Sequence, residues 1–157
     1  MTEAHLSEGS GAKERVSMKA EVFLPDDYRP AEDEPFMNDR QLEYFRRKLL
    51  TWKQELLDQS AETIDSLQES ARNVPDIADR ASEETDRALE LRTRDRQRKL
   101  VAKIDAALRR IENGEFGYCE VTGEPISLKR LDARPIATMT LEAQEKHERR
   151  EKVHRDD

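Results

Sequence analysis

The 157-residue chain carries 40% charged residues against 35% hydrophobic and 5% aromatic, with a formal net charge of −7. So apolar-poor a composition excludes a large globular core, and the acidity excludes a protein that coats nucleic acid along its length. Its single cysteine, Cys119, excludes an intrachain disulfide framework. With no N-terminal apolar leader and no apolar run near the roughly 18 to 20 residues of a membrane span, a soluble cytoplasmic protein is expected.

Taken in order, residues 1–17 are polar and aperiodic, and disorder is expected there. The N-terminal segment, residues 1–36, also holds a brief apolar cluster, Val22-Phe23-Leu24, ahead of Pro25, Pro30 and Pro35. Such a cluster cannot fold alone, but it can pack on another element.

Residues 37–113 set the shape of the molecule. Asn38 is placed to cap a helix, Gln41 stands at the reciprocal third position, and Met37 with Leu42 has the spacing of a hydrophobic staple. Leu42, Phe45, Leu49, Trp52 and Leu56 then follow in steps of three and four, a heptad seam that continues through Ser60, Ile64, Leu67 and Ala71 with a local stutter. Asn73-Val74-Pro75 breaks the helix, and Asp76 is an N-cap candidate for the return, with Asp79 in its first turn. The return is read as a seam through Ala81, Thr85, Ala88 and Leu89, then Leu100, Ile104, Leu108 and Ile111, stopped by Gly114. Two such helices make an antiparallel hairpin on the order of 50 Å long, with its tip at 72–80. On the return helix, Arg92, Arg96, Lys99 and Lys103 share one face. That stripe either pairs with acids across the hairpin or docks on an acidic protein surface or a phosphorylated ligand.

From 114 to 139 the pattern changes to a compact knuckle with Phe116, Tyr118, Ile126, Leu128, Leu131 and Ile136 as its core candidates. Residues 140–157 read as a charged helix carrying the i,i+4 pairs Glu142–Lys146, Glu145–Arg149, Glu148–Lys152 and Glu151–Arg155. Cys119 and Thr122 have the spacing of half a zinc site, and Thr140 and Ala143 stand where the other half would be. Two threonines and an alanine cannot supply the thiolate or imidazole ligands of a tetrahedral zinc, so a bound zinc is not expected. Thr140 reads instead as the N-cap of the last helix, Cys119 as a buried, inert thiol, and His147 and His154 as solvent-exposed.

Several stretches carry a resemblance: Phe45-Arg46-Arg47, the tip Pro75-Asp76 with Asp79-Arg80-Ala81, and Glu90-Leu91-Arg92 with Arg94-Asp95-Arg96 and Arg98-Lys99-Leu100. Phe116-Gly117-Tyr118-Cys119-Glu120 and Arg130-Leu131 with Ala133-Arg134-Pro135 complete it. In this order they resemble the DksA/TraR family of bacterial RNA polymerase-binding transcription factors. The resemblance implies a mainly α protein, a long antiparallel coiled-coil hairpin on a small globular domain with a degenerate zinc-finger knuckle and a C-terminal helix.

It further implies a monomeric, non-enzymatic regulator whose hairpin enters the secondary channel of RNA polymerase without sequence-specific DNA contact. Such a regulator inhibits ribosomal RNA promoters and assists amino-acid biosynthesis promoters together with the alarmone (p)ppGpp. Carried over by motif, Asp76 and Asp79, with Ala81 beside them, act near the polymerase active site, and Arg96 contacts the channel rim. Leu100, Lys103 and Arg134 contribute to an alarmone site at the polymerase interface.

Two departures stand out. Of the four finger cysteines only Cys119 remains, and the basic residue expected near the finger's end is Gln144. Without the metal cross-link, the Val22-Phe23-Leu24 cluster folded over the knuckle is the expected replacement. The competing reading of the same pattern is an adaptor coiled coil that oligomerises and leaves transcription untouched.

Overall fold

The computed structural model describes residues 21–72 and 76–155. The disorder expected for residues 1–17 and the break at Asn73-Val74-Pro75 fall outside the described residues. Four helices follow one another: α1 (Asp39–Arg72), α2 (Ile77–Asn113), α3 (Leu128–Ala133) and α4 (Leu141–Arg155). Among the described residues the only β-type pairing is an isolated bridge between Tyr118 and Pro125.

α1 begins where its cap dictates. Asn38 Oδ1 accepts from the Gln41 N–H at 2.9 Å, and Gln41 Oε1 accepts in return from the Met37 N–H at 2.8 Å. The return bond lands one residue earlier than in an ordinary capping box because the Asn38 N–H is already donated to the Pro35 carbonyl at 3.2 Å.

α1 and α2 then pack along each other. Their base is apolar: Phe45, Leu49 and Leu56 of α1 bury against Ile104, Ala107 and Ile111 of α2, and Phe116, Cys119, Ile126 and Leu131 of the knuckle join the same core. Among the described residues, none beyond Leu56 on α1 or before Ile104 on α2 is buried.

The distal half corrects the seam read from sequence. Ala81, Thr85 and Ala88 are exposed, and Leu89 is 53% exposed. Leu91 shares a groove with Ile64 and Leu67 of α1, and the hydrogen bonds across the seam come from polar residues. Gln97 Oε1 accepts from Ser60 Oγ at 3.1 Å, Gln97 Nε2 donates to Gln59 Oε1 at 3.1 Å, and Glu90 accepts from Ser66 Oγ at 3.3 Å. Arg87 reaches the Leu67 carbonyl at 3.4 Å. The true register, counted back from Ile111 in steps of three and four, runs through Leu108, Ile104, Val101, Gln97, Arg94, Glu90, Arg87 and Glu83.

The knuckle is covered differently from the expectation. Phe23 is 81% exposed, and Val22 lies beside α1, where its carbonyl accepts from Arg47 at 3.2 Å. The cover comes from later in the N-terminal segment. The Phe36 ring stands edge-on to Tyr118 with centroids 5.4 Å apart, and the Met37 side chain sits over Gly117. A second tie joins α1 to α3: Asp132 accepts from the Tyr44 hydroxyl at 2.6 Å and from Lys48 at 2.7 Å.

Candidate functional site

Asp76 precedes the first residue of α2, and its carbonyl accepts the Arg80 N–H at 2.8 Å, as the residue at an N-cap does. Asp79 lies in the first turn of the helix, where the macrodipole favours a carboxylate. Asp76, Asp79 and Ala81 are all exposed. The 37 residues of α2 put them on the order of 55 Å from the knuckle.

The basic stripe does not pair across the hairpin. Lys99 and Arg98 both turn to Asp95 of their own helix, at 3.2 and 2.8 Å. Arg92, Arg96 and Lys103 are exposed, and among the described residues their side chains make no hydrogen bond or ion pair. They form a bare cationic face directed at solvent.

That face leads into a cavity of about 160 Å³ where the end of α2 meets α3 and the start of α4. Lys103 and Arg134 line it together with Arg110, Arg130 and Gln144, while Ile136 and Ala137 supply its apolar wall. Leu100 does not line the cavity; it packs half-buried against the core one turn earlier. Sequence reasoning thus reached Lys103, Arg134 and Gln144 but missed Arg110 and Arg130. Their spacing was a usable signal, since Arg110 lies two turns beyond Lys103 on the same face and Arg130 one turn before Arg134.

The four finger positions come together without a zinc donor set. Cys119 is buried. Burial pushes its thiol up, but hydrogen bonds from the Thr122 hydroxyl and from backbone N–H groups of Thr140, Thr122 and Val121 outweigh that and bring it down to about 7. The thiol is buried, as expected, within a shell of hydrogen-bond donors. The lowering comes from the Thr122 hydroxyl and three backbone N–H donors, which a search for a neighbouring histidine does not find. Thr122 Oγ1 also accepts from the Glu124 N–H at 3.3 Å, and Thr140 Oγ1 caps α4 by accepting from the Ala143 N–H at 3.3 Å. Ala143 offers no donor at all. One thiol and two hydroxyls engaged in hydrogen bonds do not fit a tetrahedral zinc. Among the described residues no other histidine, cysteine or carboxylate cluster could hold a metal ion.

Comparison with known proteins agrees with this architecture. The family model described as DnaK suppressor protein DksA, N-terminal domain, matches residues 41–111, and that for the prokaryotic dksA/traR C4-type zinc finger matches residues 114–149. The RNA polymerase-binding transcription factor DksA of Caulobacter vibrioides is 72% identical over 131 residues, covering 83% of this chain and 92% of that protein. Its namesake in Escherichia coli K12 is 42% identical over 125 residues, covering 80% and 83%. Among solved structures, transcription factor DksA2 from Pseudomonas aeruginosa superposes with a TM-score of 0.71 at 41% identity, covering 74% of this chain and 90% of that one.

Proposed function

The chain belongs to the DksA family, and from that premise we propose that it is a non-enzymatic transcription factor that binds RNA polymerase through the secondary channel and modulates initiation. In this reading the hairpin enters the channel, Asp76 and Asp79, with Ala81 beside them, act near the polymerase active site, and Arg96 contacts the channel rim. The cavity lined by Lys103 and Arg134 takes the alarmone (p)ppGpp at the interface, and Leu100, one turn before Lys103 on α2, contributes from outside the cavity. Ribosomal RNA promoters are inhibited and amino-acid biosynthesis promoters assisted, with no sequence-specific contact to DNA. The foot works as a metal-free knuckle.

The observation that carries the reading is the bare cationic face of α2, which runs from mid-arm into the cavity while two carboxylates stand at the opposite end of the same helix. A helix that only paired with its neighbour would have its charges matched across the seam. Unmatched charge on an exposed helix is retained at a cost in self-repulsion, and a partner of opposite sign offsets it.

The deciding experiment is transcription by purified polymerase from a ribosomal RNA promoter, with and without ppGpp. Asp76→Asn combined with Asp79→Asn should abolish inhibition and leave polymerase binding in place. Equal loss of binding and inhibition would assign the aspartates to holding the hairpin, and no inhibition by the wild-type protein would favour the adaptor reading.

A further inference from the structure

The cavity at the foot holds more positive charge than Lys103 and Arg134 supply. Arg110 enters it from the end of α2 and Arg130 from α3, and no carboxylate lines it. Arg110 is half-buried, and among the described residues its guanidinium makes no hydrogen bond or ion pair; Glu120 and Glu115 act on it only at longer range. A partly desolvated guanidinium without a partner is unfavourable, and a bound anion removes that penalty. Arg130 is fixed from behind, its Nε donating to the Met139 carbonyl at 3.0 Å, which leaves its terminal nitrogens for another acceptor. Gln144 brings no charge, and its amide is turned outward to Glu148 at 2.8 Å. At about 160 Å³ the cavity is smaller than the roughly 300 Å³ at which pockets begin to enclose whole small molecules, so it fits one charged end of a larger ligand.

We infer that Arg110 and Arg130 form a diphosphate subsite, supplying from α2 and α3 the positive charge that Gln144 does not supply from α4. The inference rests on the reading of this cavity as a nucleotide site. The ligand class is a nucleotide ending in a diphosphate, whose oxygens match paired guanidinium forks better than a single ammonium.

The test uses the full chain with purified polymerase and titrates ppGpp against Arg110→Gln, Arg130→Gln, Lys103→Gln and Arg134→Gln. The readout is the ppGpp concentration giving half its effect, normalised to each variant's own inhibition without ppGpp, alongside its melting temperature. Arg110→Gln and Arg130→Gln should each raise that concentration on the order of tenfold, the loss of one charge-assisted contact, and Arg110→Lys should recover most of it. A merely structural role would lower the melting temperature and leave the normalised concentration where it was, which overturns the inference. A rise confined to Lys103→Gln and Arg134→Gln also overturns it, while the nucleotide reading stands. If all four variants respond to ppGpp as the wild type does, the nucleotide reading fails and takes the subsite with it.

Discussion

Gly117 and Met37 constrain each other. Gly117 has φ +91° and Met37 has φ +52°, and a Cβ on Gly117 would come within 3.0 Å of the Met37 side chain. Gly117→Ala meets both penalties, a left-handed backbone and a displaced methionine, and should destabilise the protein by about 1–3 kcal/mol in urea denaturation. Asp132 is held below the usual carboxylate range by hydrogen bonds from Lys48 and Tyr44, while burial and then the hydrogen bond to Asp132 push Tyr44 up to about 12. Because the folded state lowers its pKa, the contribution of Asp132 is present above about pH 4 and lost as pH falls through the depressed value. Both ion-pair partners are more than a third exposed, so Asp132→Ala should cost only about 1 kcal/mol at neutral pH and nothing measurable in strong acid. Cys119 has the same sign at higher pH. Its thiol is lowered from 9.0 to about 7, so its contribution is complete above the first value and lost as pH falls through the second. The melting-temperature gap between wild type and Cys119→Ala should therefore widen from about pH 6 to about pH 9.

At the scale of elements, legibility followed chemistry. The base of the hairpin could be read because Phe45, Leu49 and Leu56 are apolar where they are buried, and Thr140 as a cap because its spacing to α4 is local. The distal register could not be read by looking for apolar residues, since the inward positions are Gln97, Glu90 and Arg87 while Leu89 points away. Only extrapolating the heptad from the base would have found it. Likewise Phe23 drew the eye as the bulky member of its cluster, yet the knuckle is closed by Phe36 and Met37, which chain connectivity delivers to it at the start of α1. Replacing Gln97 and Ser60 by leucine would convert a polar layer into an apolar one and should add about 1–2 kcal/mol to the distal arm. Slower amide exchange over residues 57–72 and 83–100 would register it; unchanged exchange would mean that this layer does not limit the arm's opening.

Across the whole molecule, a net charge of −7 conceals a division of sign. The cationic strip of α2 and the cavity beyond it sit on a chain that is otherwise acidic, so association with an acidic partner should be steered through that strip and weaken with added salt. Arg96→Glu should lower polymerase affinity several-fold at low salt, with the difference from wild type shrinking as ionic strength rises. The donor set of the foot gives a second whole-protein expectation: exhaustive chelation should leave the melting curve unchanged, whereas a structural zinc would contribute several kcal/mol.

An uneven rod also has an uneven way of coming apart. Apolar burial ends near Leu56 and Ile104, so heat should unzip the far half first, while Trp52, half-buried beside the last apolar layer, still reports an intact base. Far-ultraviolet ellipticity should then begin to fall at a lower temperature than tryptophan fluorescence shifts, and one midpoint would not describe this protein.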